Sequence, residues 1–379
     1  MSKIGIITFH NSYNCGSMLE SYAMQTIIEK LGLDAEIINF SNESQRRLYG
    51  ITYKNNTLKN IVKNVFILPA HKRIANNNEK YEEFKNKYFH LTKDYNNMNQ
   101  LKDDDYSTVV AGSDQIWNIT IADSDDAYFL PWVKNAKKVA YAPSFGAKRI
   151  ADNTKDIEKY NDFLNSFDAL SIREKNGQKW IKEMINKDVP VLLDPTVLLE
   201  AEDYEKLVAK DVKVTDDKYI FFYSPDFKSD VCKYVKQVAD KYNLKVITWS
   251  TKHYYAKGIG RFGFELPEYE NPAMYLYLLK HAELVMTTSY HGTIFSTLYK
   301  KNFITIKNSG MYWNDDRVIT LLNQLNMMDR LIPHEFDENF DYLADVNYAE
   351  YDKNLPKLKE KSIAYLEENL GGKYLEKRK

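Results

Sequence analysis

The sequence predicts an α/β protein built from two Rossmann-like domains, and three observations carry that prediction. Residues 3–40 read as strand, turn, helix and strand. The same alternation resumes after residue 206 and includes a strand–turn–helix unit at 284–299. The length, 379 residues, gives each of two domains enough chain for its own core. The expected division is 1–205, 206–345 and a C-terminal helical segment at 346–379.

Residues 3–9 form a continuous apolar run, typical of a central parallel strand. The polar turn His10-Asn11-Ser12-Tyr13-Asn14-Cys15-Gly16 follows. Ser17 and Glu20 have the spacing of a capping box. Leu19, Ala23, Ile27 and Leu31 then line one helical face, which Gly32 ends. Residues 35–40 are a second strand. The opening lacks a Gly-x-Gly-x-x-Gly fingerprint, which argues against a nicotinamide or flavin cofactor. Residues 41–105 are polar and read as helical or irregular. Within them His71, Lys72 and Arg73 form a small basic cluster, read as a solvated face or, as the lesser alternative, a rim for an acidic substrate, and Phe84, Tyr88 and Phe89 anchor the segment to the core.

Residues 108–111 are a buried strand ending in Gly112-Ser113-Asp114-Gln115-Ile116-Trp117-Asn118. Small and polar groups at a strand end stand where α/β sheets bind ligands, although Asp and Ser in such a turn also satisfy the backbone. A strand at 138–142 leads to Pro143-Ser144-Phe145-Gly146. A helix at 150–167 and a strand at 169–172 lead to Arg173-Glu174. An Arg there presents a fixed fork to a carboxylate or phosphate, or pairs with Glu174 or another acid. A helix at 177–185 and a short strand at 191–193 precede Asp194-Pro195-Thr196, whose proline marks the exit from the first domain.

The second domain reads as strand 219–223, helix 228–242, strand 245–249, a Gly-containing loop at 253–264 and helix 272–282. The unit at 284–299 follows, then a strand at 303–306, a loop at 308–316 and a helix at 317–325. An amphipathic helix at 362–370 ends at Gly371-Gly372 and is expected to pack back on the first domain.

Functional expectation centres on Thr288-Ser289-Tyr290-His291-Gly292-Thr293. A strand feeding a helix places this turn at the carboxyl edge of a sheet, and the helix start offers N–H groups and a positive dipole end to an anion. Gly292 would admit an anion close to the backbone. His291 beside it is suited to acid–base work near neutral pH. The competing reading is a histidine that caps the strand end.

Composition excludes several classes. With 52 basic and 53 acidic residues, net charge −1, nothing global favours nucleic acid. Two cysteines are too few for a disulfide framework or a Cys-based zinc site and suit a reducing, cytoplasmic setting. No run approaches a membrane span, and the apolar start is too short for a signal sequence. No closely spaced His/Asp/Glu triplet suggests a metal.

These residues together resemble the polysaccharide pyruvyl transferase family. The matching features are the segment Thr8 to Ser17 with its helix, Gly112 to Asn118, Tyr141 to Gly146, Ser171-Ile172-Arg173-Glu174, Asp194-Pro195-Thr196, and Thr288 to Thr293. The resemblance implies a glycosyltransferase-B-like fold, with the two domains facing a cleft. It also implies transfer of pyruvate from phosphoenolpyruvate to a sugar as a ketal. His291 matches the family's catalytic His, and Arg173 its donor-binding Arg. Several members carry an Arg two positions before the His where this chain has Ser289. Either Ser289 and the helix start then suffice for the phosphate, or Arg317 or another cation supplies the charge.

The expected catalytic set is His291, Arg173 and Asp114, the last orienting or deprotonating the acceptor hydroxyl. Asn14, Gly16, Ser17, Ser113, Gln115, Ser289, Gly292, Thr293 and Arg317 complete the expected substrate contacts. No resident cofactor or metal is expected. The expected partners are the small-molecule donor and a sugar or lipid-linked glycan acceptor, which would make the protein peripheral to a membrane. Oligomeric state is left open. The alternatives are a nucleotide-sugar-dependent glycosyltransferase, with Glu265 a candidate ribose ligand, and a non-catalytic carbohydrate-binding protein.

Overall fold

The computed structural model describes residues 3–210, 212–307 and 316–374. The first sheet has the order β2–β1–β3–β4, with β1 Lys3–Ile7, β2 Ala35–Ile37, β3 Tyr106–Ala111 and β4 Lys137–Ala140, all parallel. The helices of this part of the chain are α1 Cys15–Lys30, α2 Glu43–Leu48, α3 Leu58–Ile67, α4 His71–Tyr88, α5 Ile157–Asn165, α6 Lys175–Ile185, α7 Pro195–Leu198 and α8 Ala201–Glu205. The second sheet, also parallel, has the order β6–β5–β7–β8–β9. Its strands are β5 Tyr219–Tyr223, β6 Lys245–Thr248, β7 Leu284–Thr287, β8 Phe303–Lys307 and β9 Leu331–Pro333. Its helices are α9 Ser229–Tyr242, α10 Thr251–Lys257, α11 Pro272–His281, α12 Tyr290–Leu298 and α13 Asp316–Leu325, and α14 Ala349–Leu370 follows.

Both sheets obey the rule that strands covered on two faces read as unbroken apolar runs: Ile4, Ile6 and Ile7 of β1 and all four residues of β7 are buried. In each sheet the chain order reverses between two neighbours, β1/β3 and β5/β7. The register Ile7↔Ala111 and Tyr223↔Thr287 brings the carboxyl ends of those pairs side by side. The loops leaving them meet across a cleft, the place where open α/β sheets bind ligands.

Several expectations need correction. Ser17 and Glu20 do not form a capping box: α1 starts at Cys15 because the Asn14 side chain accepts from Gly16 N at 2.9 Å. The helix expected at 150–167 is a 3₁₀ turn, Ile150–Asp152, followed by α5, which Asp156 caps. The strands expected at 169–172 and 191–193 touch their neighbours only through single bridges. There the Ser171 hydroxyl takes ladder positions, accepting from Ala142 N and donating to Ala140 O. The loop expected at 253–264 begins in α10, which Gly258 ends in a left-handed conformation. The loop expected at 308–316 lies outside the described residues except for Asp316.

The final helix, α14, is 22 residues long and starts well before residue 362; Pro356 inside it masks its first half from a sequence reading. It does return to the first domain. Tyr365 OH donates to Ala140 O, Ser362 Oγ accepts from Leu193 N, and Lys137 Nζ donates to Asn369 O. The largest apolar cluster runs through both domains, with Tyr204 of α8 packed edge-on against Phe295 of α12 at 5.1 Å.

Candidate active site

The cleft encloses about 610 Å³. Its first-domain wall is the β1 loop with the start of α1 (Phe9, Ser12, Asn14, Cys15, Ser17) and the β3 loop (Asp114, Gln115, Asp123). Its second-domain wall is the β7–α12 turn (Thr288 to His291), Trp249 to His253, Glu270 and Arg317.

His291 occupies the first turn of α12, where β7 fixes it. Ser289 is the N-cap and accepts from Gly292 N at 3.3 Å. The imidazole crosses the cleft floor and lies on Gly16 of α1. A Cβ at Gly16 would sit 2.3 Å from its Nδ1. Its Nε2 faces Asp194 Oδ2 at 3.4 Å, near enough for charge coupling but too long for a strong hydrogen bond, and among the described residues Nε2 has no hydrogen-bond partner.

Asp194 is the hub beneath. It is fully buried. Its Oδ2 accepts from Arg173 Nη1 at 2.5 Å and Ser113 Oγ at 3.1 Å; its Oδ1 accepts from Thr196 N and Oγ1. Burial would push its carboxyl up, but His291 and Arg173 outweigh burial and hold it well below the usual carboxylate range. Arg173 stacks 4.4 Å from the Tyr290 ring centroid and lies 3.7 Å from Asp114 Oδ1. Its Nε and Nη2 are buried without a hydrogen-bond partner among the described residues.

Asp114, in a left-handed backbone conformation, accepts from Ser17 Oγ at 2.5 Å and Gln115 N at 2.8 Å. Glu20 accepts from Thr8 Oγ1 and Ser113 N. Burial, with Asp194 and Asp114 adding to it, raises its carboxyl far above the usual range. On the far wall burial pushes Glu270 up to about 7, although Thr251 N and Oγ1 donate to it.

The structure therefore brings Asn14, Ser17, Asp114, Gln115, Ser289, His291 and Arg317 together on the cleft. Five expected contacts do not line it. Gly16 supports the His291 ring. Ser113 is buried on Asp194 and Ala142 O. Arg173 is an ion-paired arginine, its partner Asp194 and not Glu174, which instead accepts from Ser144 Oγ and Phe145 N. Gly292 faces β7, where a Cβ would sit 2.5 Å from Thr287 Oγ1, so its small size serves helix packing and not anion approach. Thr293 bonds Ser289 O and Thr305. From sequence, Asp194-Pro195-Thr196 reads as a domain exit and a family-matching motif, with no site role for Asp194. The signal was an acid at a strand end, whose partners are distant in sequence. Glu20 drew attention only through its capping-box spacing from Ser17, and Glu270 carried no local signal.

The sequence model described as polysaccharide pyruvyl transferase matches residues 14–310. A comparison with curated protein sequences gave no match. Among solved structures, the S. aureus MnaA–UDP co-structure aligns over 98% of this chain and 97% of that one, with 12% identity and a TM-score of 0.50. UDP-GlcNAc 2-epimerase from Neisseria meningitidis bound to UDP-GlcNAc aligns over 97% and 100%, with 9% identity and a TM-score of 0.49. E. coli heptosyltransferase WaaC with ADP-2-deoxy-2-fluoro heptose aligns over 94% and 99%, with 9% identity and a TM-score of 0.39. The likeness to MnaA is one of fold: two parallel-sheet α/β domains of the glycosyltransferase-B-like kind.

Proposed function

The chain belongs to the polysaccharide pyruvyl transferase family, and on that premise we propose that it moves the pyruvate unit of phosphoenolpyruvate onto a sugar of a cell-surface glycan or its precursor, as a ketal. The observation that carries the reading is His291, held on the cleft floor between Gly16 and Asp194, with Asp114 of the other domain lining the same cleft.

The donor's anionic groups need cations and N–H donors. The start of α12 and Arg317 supply them. In the first step a proton from His291 reaches the methylene carbon of the donor while a sugar hydroxyl adds to the central carbon. That hydroxyl gives its proton to Asp114, which Ser17 and the Gln115 amide orient. In the second step a neighbouring hydroxyl displaces the phosphate, whose bond to the central carbon breaks with its electron pair, and the hydroxyl's proton leaves with the phosphate. Protons are conserved once Asp114 returns its own to the histidine through solvent. Asp194 and Arg173 are positioning residues here: the carboxylate orients the imidazole, and Arg173 fixes that carboxylate. The cytoplasm, where phosphoenolpyruvate is made, is the proposed setting.

The test is phosphate release from phosphoenolpyruvate in the presence of glycan acceptors, for the protein and for His291→Ala. A positioned acid–base group contributes about 10²–10⁴-fold, so His291→Ala should lose at least that much while melting as the parent does. Near-normal turnover in that variant removes the assignment. A rise in melting temperature with nucleoside diphosphates and none with phosphoenolpyruvate would favour a nucleotide-sugar enzyme instead.

A further inference from the structure

Helix α3 is inside out. Its apolar residues Leu58, Ile61, Val62, Val65 and Phe66 recur at i, i+3, i+4, i+7 and i+8, the stripe that a soluble domain turns inward. Here the stripe faces solvent: Leu58 is 78% exposed, Val65 66%, Phe66 58%, and Leu68 just beyond 64%. The opposite face is the one fastened down. Asn64 Nδ2 donates to Tyr53 O and its Oδ1 accepts from Tyr53 N, both at 2.8 Å. Asn60 Nδ2 donates to Lys54 O. Ile67 is buried with Ala70 and Ile74 against Tyr255 and Ala256 of the second domain. Rotation of the helix to hide the stripe would break all of these contacts.

The segment that carries α3 holds charge of one sign. Residues 44–78 hold seven Lys and Arg and no Asp or Glu, in a chain whose totals are 52 basic and 53 acidic. Arg46 and Arg47 pair with Asp94 and Glu43. Lys54, Lys59 and Lys72 are exposed around the apolar stripe, and Lys63 lies over the Tyr53 ring. Leu48 and Tyr53, beside the patch, line the cleft. Among the described residues no helix is long and apolar enough to cross a membrane.

We infer that α3 and its flanks dock this protein on an anionic lipid surface, with the apolar stripe at the acyl boundary and the lysines among the headgroups, so that the cleft mouth opens beside the membrane. An apolar helix face ringed by lysines is the pattern that interfacial helices use. A second copy of the chain is the weaker occupant, because a two-fold interface would set the same cations against one another.

The experiment is co-flotation of the full chain with phosphatidylcholine vesicles, with and without phosphatidylglycerol, at low and high salt, beside sedimentation of the protein alone. Binding to the phosphatidylglycerol vesicles is expected, weakened by salt. Lys54→Gln and Lys59→Gln should each lower it about fivefold. The double variant Leu58→Ser/Phe66→Ser should lower it ~10-fold or more with an unchanged melting temperature, since both side chains are exposed. Failure of the parent protein to bind the phosphatidylglycerol vesicles overturns the inference. So does binding that the Leu58→Ser/Phe66→Ser change leaves intact, or a dimer held by this face that leaves nothing to bind lipid. None of these readouts involves turnover, so the result is independent of the reaction proposed above.

Discussion

Gly16 and Asp194 together decide where His291 stands. A methyl group at position 16 would fall 2.3 Å from Nδ1, so Gly16→Ala should displace the ring. The expected outcome is loss of turnover comparable to that of His291→Ala, with the fold retained in the circular dichroism spectrum. Asp194→Ala removes the carboxylate that balances buried Arg173. Breaking a buried pair in this way costs about 3–5 kcal/mol, which urea denaturation would read directly; a cost under ~1 kcal/mol would show that Arg173 finds compensation elsewhere. The cleft residues His291, Ser289, Asp114 and Ser17 were legible because each sits at a strand end or helix start that its own neighbours announce. Asp194 was not. What it does depends on Ser113, Arg173 and His291, which approach it only after both sheets have formed.

At the scale of elements, α12 is held against β7 by the absence of a side chain at Gly292. Gly292→Ala would drive a methyl group to 2.5 Å from Thr287 Oγ1, which already donates to Tyr223 O and accepts from Ser289 N. Overpacking at such a contact costs about 1–3 kcal/mol, and a melting temperature unchanged in this variant would show that the turn yields. The parallel strands and the long helices could be read from periodicity alone, because burial on two faces leaves an apolar run and burial on one leaves a stripe. The failures were local. Gly258 suggested a loop where it only closes α10, Pro356 hid half of α14, and the hydroxyl of Ser171 replaced ladder bonds that a strand reading had assumed. The α3 stripe has ordinary helical spacing, and nothing in its pattern says that it faces outward.

For the whole molecule, the two sheets share one apolar cluster, and polar contacts close the rest of the seam. Asn77 of α4 donates to Thr251 Oγ1 and accepts from Glu270 N. Unfolding followed by tryptophan fluorescence and by far-ultraviolet circular dichroism should therefore give coincident transitions; two separated steps would mean that the domains are energetically independent. Glu270 gives the seam a pH dependence. Burial pushes it up to about 7 from an ordinary 4.5, so the unfolded chain loses this proton first as pH rises. Stability contributed here is present below about pH 4.5 and declines through pH 7, by on the order of 1–3 kcal/mol. Denaturation midpoints should fall less steeply with pH across that window in Glu270→Gln than in the parent. Buried His10, pushed down to about 4, contributes the opposite slope between about pH 4 and 6.5 in both proteins. Helix α14, the last element of the fold, bonds Ala140 O and Leu193 N. The ribosome makes this helix after both sheets, so the first domain waits, with its Tyr141 and Leu193 flank uncovered, until residues 349–370 have emerged. A chain that stops before residue 349 would hold both sheets in full and still leave that flank open to water.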